Sequence, residues 1–297
     1  MENKYNTTGH NRDKNQTSPA DHDNTEQINA IVRIKRQLES KLLILTHHYQ
    51  RKEIVDLGDY RGDSFALSKN AAENRDAEYI VFCGVHFMAE SAAILARPNQ
   101  IVQIPDVEAG CWMADMIDIE QIEMAWDALS EITGPDVIMP IVYVNSDAKI
   151  KAFCGRHGGT TCTSSNAGKA FQWGFKSRRK ILFLPDQHLG RNTGNAMGID
   201  PSEMIAWDPD KHLGGNTRQS IQTAKLILWE GHCLVHTRFQ PDQIQAVRQA
   251  HPEAKIVVHP ECTEDVVALA DAVGSTSFIV KYVEEAKPGE MIVIGTE

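Results

Sequence analysis

Residues 101–115, IVQIPDVEAGCWMAD, combine a short apolar run, a turn punctuated by Pro105 and Gly110, and a cysteine where a helix is expected to open. Ile101, Val102 and Ile104, bounded by proline and followed by a helical start, predict a buried parallel strand whose carboxyl end delivers Cys111 from a loop. A thiol near a helix N-terminus feels the positive end of the dipole and its unpaired N–H groups. Both favour the thiolate, the form that binds metal or attacks electrophiles. A single free cysteine is more often a small buried hydrophobe. The functional reading gains weight because other strand ends of the chain carry comparable residues.

Upstream, Ile28, Ile31, Ile34 and Leu38 recur at helical spacing and lead into a strand at 42–45, which ends in Thr46-His47-His48-Tyr49-Gln50. A helix near 52–59, a turn at 61–64, a helix from Phe65 and a strand at 79–83 complete a first unit together with 101–104. Downstream, VIMPIVYV at 137–144 ends in Asn145, residues 160–162 end in Thr163-Ser164-Ser165-Asn166, and KILFL at 180–184 ends in Pro185-Asp186. A third round takes AKLIL at 224–228, ending in WEGHC, then KIVV at 255–258, ending in His259-Pro260-Glu261-Cys262, and finishes near 274–277. Three rounds of strand and helix predict an α/β protein of three small parallel units, a threefold repeat, at 26–111, 112–195 and 196–297. Ligands of open α/β sheets bind beyond the carboxyl ends of the strands, so those ends should converge on one site.

Composition narrows the function. With 42% hydrophobic and 24% charged residues over 297 positions, the chain is an ordinary globular protein with room for more than one core. Thirty basic against forty acidic residues give a net charge of −10, which offers no general attraction to nucleic acid or an anionic membrane. Small anionic ligands would need local positive groups. No apolar stretch approaches membrane-spanning length and none resembles a secretory signal, so a cytoplasmic location is expected. Residues 1–25 are almost wholly polar and are expected to form a disordered tail. The six cysteines, at 83, 111, 154, 162, 233 and 262, lie far apart without a CxxC pair, which argues against a disulfide framework and a zinc ribbon.

The strand ends supply His47, Tyr49, Ser64, Cys111, Tyr143, Asn145, Ser164, Cys233, His259, Glu261 and Thr276. Singly, each has an ordinary role: a strand-end Ser or Asn caps a turn, and a lone His satisfies a buried carbonyl. Jointly they offer metal-binding thiolates, acid–base candidates in Tyr, His and Glu, and donors for carboxylate or phosphate in Ser, Thr, Asn and His.

The segments HHYQ, GDSFALS, FCGVHFMAESA, PDVEAGCWMAD, YVNSDAKIKAFCGRHGGTTCTSSNA, LPDQHLGRN, WEGHCLVH, HPEC and GSTS, in this order and spacing, closely resemble quinolinate synthase, the iron–sulfur enzyme of de novo NAD biosynthesis. The resemblance runs from about residue 28 to the end. It implies three homologous three-stranded parallel α/β domains around a pseudo-threefold axis, with the active site at their junction. It also implies a 4Fe–4S cluster held by three cysteines, with one iron open to act as a Lewis acid. Cys111 in EAGC and Cys233 in GHC match two of those ligands, while Cys83, Cys154, Cys162 and Cys262 match none and are read as structural. His47, Ser64, Tyr143, Asn145, Ser164, His259, Glu261 and Thr276 fall on the family's substrate-binding motifs, and Tyr49 on its acid–base tyrosine.

The implied reaction condenses iminoaspartate with dihydroxyacetone phosphate to quinolinate, with loss of phosphate and water. Glu261 is the expected proton-transfer base, supported by His259, with Tyr49 as general acid–base. L-Aspartate oxidase is implied as the functional partner that supplies the labile imine. The family's third cluster cysteine belongs to a stretch beyond the segment matching 291–297, and Cys262, beside His259 and Glu261, is not expected to replace it. The expectation for this chain alone is therefore a fragile cluster and low activity, as in a truncated copy. The alternatives are a non-catalytic metabolite-binding protein on the same scaffold and a simple cluster-dependent hydro-lyase.

Overall fold

The computed structural model describes residues 24–296. Residues 1–23 of the expected tail lie outside this span, and its last residue is not tail: helix α1, Thr25–Leu38, begins there. Glu26 in its first turn and Lys35 and Arg36 in its last complement the helix dipole. The chain divides into two compact units at Glu39.

The unit from Ser40 holds three sheets, and every strand pair in them is parallel. The first is built from β1 (Leu42–His47), α2 (Lys52–Val55), β2 (Tyr60–Gly62), α3 (Ser64–Glu73), β3 (Tyr79–Cys83), α4 (His86–Leu95) and β4 (Ile101–Gln103), in strand order β2-β1-β3-β4. The second takes α5 (Ile119–Thr133), β5 (Ile138–Tyr143), α6 (Ala148–Arg156), β6 (Thr160–Cys162), α7 (Ala167–Ser177), β7 (Lys180–Leu184), α8 (Gln187–Ala196), β8 (Met204–Trp207), α9 (Arg218–Thr223) and β9 (Leu226–Trp229), in order β6-β5-β7-β9-β8. The third takes α10 (Pro241–Ala250), β10 (Lys255–Val258), α11 (Glu264–Leu269), β11 (Ala272–Val273), α12 (Thr276–Glu284) and β12 (Ile292–Gly295), in order β11-β10-β12. Among the described residues, no helix is long and apolar enough to cross a membrane.

The α/β architecture with three parallel sheets is as the sequence predicts, but the sheets have four, five and three strands rather than three each. The strand expected at 224–228 to open the third unit instead joins the second sheet, pairing Leu226 with Ile181 and with Met204. The second sheet therefore runs past residue 196, through Trp229. The reason is burial: all four residues of β9 are fully buried, and such a strand needs neighbours on both edges, here β7 and β8. The 101–104 run is also not a buried strand. β4 lies at a sheet edge, paired only with β3, and Ile101 is 53% exposed.

The second sheet is the best-covered layer. Every residue of β5 and β7 is buried. The core on one side of the sheet gathers Trp126, Phe153, Trp207 and Trp229, and that on the other Met139, Phe171, Ile181 and Phe183. Lys180 opens β7 and survives burial because its Nζ donates to the carbonyls of Ile221, Gln222 and Ala224, which end α9. Because each strand feeds a helix, helix N-termini gather at the strands' carboxyl ends. Asp63 caps α3 by accepting from Ala66 N at 2.8 Å, Asp186 caps α8 by accepting from Leu189 N at 2.8 Å, and Ser275 caps α12 by accepting from Phe278 N at 3.4 Å.

Side chains join the sheets. Tyr143 Oη donates to Glu261 Oε1 at 2.6 Å, and Asn192 Nδ2 donates to the carbonyls of Pro260 (2.9 Å) and Cys262 (2.8 Å), tying the second sheet to the third. Glu90 Oε2 accepts from Ala148 N at 2.9 Å between first and second, and Ser277 Oγ donates to Asp63 Oδ2 at 2.9 Å between third and first.

Candidate active site

One cavity of about 830 Å³ opens at the carboxyl ends of strands from all three sheets. All the candidate residues of the sequence line it. His47 ends β1, Tyr49 follows it and Ser64 opens α3. Cys111 lies on the turn after β4, Tyr143 ends β5, Asn145 lies two residues beyond it, and Ser164 lies ahead of α7. Cys233 follows β9, His259 and Glu261 follow β10, and Thr276 opens α12. No lysine or arginine is among the described lining residues. Positive potential comes instead from the N-termini of α3, α7 and α12, one from each sheet, whose first residues or preceding loops line the wall.

Glu261 is the electrostatic centre. It is 3% exposed, its Oε1 accepts from Tyr143 Oη, and its Oε2 lies 2.9 Å from His236 Nδ1. Burial alone would raise its carboxyl. His259, His236 and Tyr143 together outweigh burial and hold it down at about 2. The His259 ring stacks on His236 at 4.5 Å, and its Nδ1 accepts from Glu261 N at 3.3 Å. Burial takes His259 down to about 4, so it is neutral near pH 7. His47 is likewise lowered to about 4, chiefly by burial, and its ring lies 4.0 Å from that of Tyr49. Tyr143 is pushed well up, first by burial and then by the Glu261 charge.

The two cavity cysteines sit in turns that match position for position. Cys111 O accepts from Asp115 N at 3.1 Å and Met113 O from Met116 N at 3.2 Å; Cys233 O accepts from Thr237 N at 3.1 Å and Val235 O from Arg238 N at 3.3 Å. A 3-10 turn follows each, at Ala114–Met116 and His236–Arg238. In both, the backbone N–H groups two and three residues on bias the sulfur toward thiolate: Met113 and Ala114 for Cys111, Val235 and His236 for Cys233. The expected helix at Cys111 is thus a single turn, and burial outweighs its amides, raising both thiols. Cys233, His236 and Glu261 also bring ligand atoms within 4.8 Å of one another.

The remaining cysteines are elsewhere. Cys83 ends β3 away from the cavity lining, and Cys154, Cys162 and Cys262 are buried, with Cys262 Sγ donating to Gly295 O at 3.5 Å. The sequence reading missed His236, which bridges Glu261 and Thr296, its Nε2 lying 2.8 Å from Thr296 Oγ1. Its position in HCLVH, three residues after Cys233, was the available signal. Asp186, quoted only as a strand end, is fully buried with Oδ1 on Leu189 N; burial and then the Glu261 charge push its carboxyl well up, against the N–H groups of Leu189, His188 and Cys233.

Buried acid–base groups, helix N-termini and paired thiols around one cavity define a parallel α/β enzyme acting on a small molecule. The family model described as "NadA: Quinolinate synthetase A protein" matches residues 29–208 and 198–297. Quinolinate synthase of Acidobacterium capsulatum is 52% identical over 278 residues, covering 93% of this chain and 74% of the relative. Those of Geobacillus thermodenitrificans (52% over 264 residues; 89% and 71%) and Herpetosiphon aurantiacus (53% over 270 residues; 90% and 72%) are similarly close. The chain belongs to the quinolinate synthase family.

Proposed function

We propose that this protein condenses iminoaspartate with dihydroxyacetone phosphate to form quinolinate, phosphate and water, a step of NAD biosynthesis, with a 4Fe–4S cluster as cofactor. The observation that carries the reading is the meeting, in one cavity, of three helix N-termini, two thiols in matching turns and an ionised buried carboxylate. The substrates bring two carboxylates and a phosphate, and a wall of helix N-termini and hydroxyls suits three anions without a lysine or arginine. Cys111 and Cys233 would hold the cluster, because thiols flanked by backbone N–H donors fit iron–sulfur ligation. When bound, the cluster supplies Lewis acidity toward a substrate hydroxyl or carboxylate.

The chain's own residues divide the remaining work. Ser64, Ser164 and Thr276, at or just ahead of the three helix starts, orient the anionic ends, with His47 and Asn145 as further contacts. Glu261 is ionised and takes up a carbon-bound proton, held in place by Tyr143, His236 and the neutral His259. Tyr49 donates and accepts protons at the departing oxygen; its ring is braced on His47 and its hydroxyl lies 3.9 Å from Met88 Sδ. L-Aspartate oxidase would supply the labile imine by diffusion or weak contact. The test is anaerobic reconstitution, then incubation with both substrates and mass-spectrometric detection of quinolinate. Absence of product from protein loaded with iron and sulfide would refute the proposal.

A further inference from the structure

Two loops far apart in the chain carry Cys111 and Cys233, and something in the protein must set one against the other. The indole of Trp229, completely buried at the end of β9, donates from Nε1 to Met116 O at 2.9 Å, and three residues later His232 N lies 3.4 Å from Met116 Sδ. Met116 closes the Cys111 turn through its own N–H on Met113 O, and that turn is bonded to Cys111 O through Asp115. Met116 therefore bonds to both sides: its N–H lies in the Cys111 turn, and its carbonyl and sulfur accept from Trp229 and His232 in the segment that carries Cys233. The far side of that segment is fixed too: Gln187 N donates to Gly231 O at 2.9 Å, and a Cβ at Gly231 would collide with the Pro185 carbonyl oxygen.

We propose that Trp229, acting through Met116, is a positioning residue that sets the geometry of the Cys111 turn relative to the Cys233 turn. The cofactor role of the two thiols rests on the function proposed above; the coupling of the two turns does not. The indole N–H of a completely buried ring is suited to this, because it is costly to leave unpaired and the ring cannot move without opening the core.

The coupling is read on the protein without cofactor, by peptide-resolved alkylation of its cysteines. Trp229→Phe removes the N–H donor. Trp207→Phe is the control, since Trp207 pairs with Trp229 in the adjacent strand, is also buried in the same core, and touches neither cysteine turn by hydrogen bond. Folded Trp229→Phe is expected to alkylate at Cys111, which lies in a different loop from the mutation, about fivefold faster than wild type, the factor one ordinary hydrogen bond is worth. Trp207→Phe should leave Cys111 at the wild-type rate while lowering thermal stability. Equal Cys111 rates in the two variants would overturn the proposal. If Trp229→Phe does not fold, Met116→Leu, which removes the sulfur acceptor at similar volume, decides the matter: it should speed alkylation at Cys233, and an unchanged rate refutes the coupling. Anaerobic reconstitution of wild type separately tests the cofactor reading: no uptake of iron and sulfide refutes that reading and leaves the alkylation result standing. Where the cluster does load, the same strut predicts faster iron loss to a chelator and broadened electron paramagnetic resonance from Trp229→Phe than from Trp207→Phe.

Discussion

Tyr143 and Glu261, 118 residues apart, meet through a 2.6 Å hydrogen bond that joins the end of one sheet to the end of another and, after His259 and His236, helps to keep a fully buried carboxylate ionised. Replacing Glu261 by Gln removes the charge while keeping the shape. The Glu261→Gln protein should load iron and sulfide as wild type does and lose quinolinate formation by a factor of about 100 or more, the range for loss of a positioned base. Near-normal turnover would remove Glu261 from its proposed role.

Tyr143→Phe deletes one donor and leaves the carboxylate partly unsatisfied. About 1–3 kcal/mol of stability should be lost. Denaturant titration checks this, and a cost below a few tenths of a kcal/mol would mean that His236 alone satisfies Glu261.

Acid should destabilise the protein over two pH windows. His259 is lowered from 6.5 to about 4 by burial, so between those values the unfolded chain binds the proton and the native one does not. Stability therefore falls as the pH drops from 6.5 to 4, by on the order of 3 kcal/mol from this residue. Glu261, lowered from 4.5 to about 2, adds a second loss between those values. Melting temperatures measured from pH 7 to 4 should slope less steeply in His259→Gln, and an unchanged slope would contradict the burial argument.

Cys111→Ala and Cys233→Ala should each greatly reduce retained iron and sulfide while remaining folded, and Cys83→Ala should not. Elemental analysis after anaerobic reconstitution distinguishes them. Equal loss from all three would mean that cavity placement does not select the ligands.

Asn192 holds the turn that presents His259 and Glu261 through two bonds to main-chain carbonyls. Asn192→Ala should cost about 2 kcal/mol by leaving buried carbonyls unpaired, and should lower kcat more than it raises KM, since the anion-holding helix starts are untouched. Wild-type stability would show that water replaces the amide.

The strand ends were legible because parallel strands flanked by helices leave a periodic trace: β3, β7 and β10 lie where the apolar runs place them. The overlooked strands lack that trace. β2 is Tyr-Arg-Gly, and β8 and β12 are short edge strands with several half-exposed positions. β9 reads as any buried strand does, so its apolar run could not say which sheet it joins. The candidate site was readable to the extent that its residues stand directly at strand ends. His236 stands beyond one on a 3-10 turn, and Trp229 looks in the sequence like core.

The long reach of the Tyr143–Glu261 bond has a consequence for the newborn chain. At ribosomal speeds of about 5–20 residues per second, Tyr143 waits on the order of 10 s for its partner to be synthesised. During that interval the second sheet can pair and bury its faces, yet the cavity has no floor. Catalytic competence therefore arrives as a late docking event, and a translational pause between codons 143 and 261 would prolong a stage in which Cys111 is already made but unprotected by the third sheet.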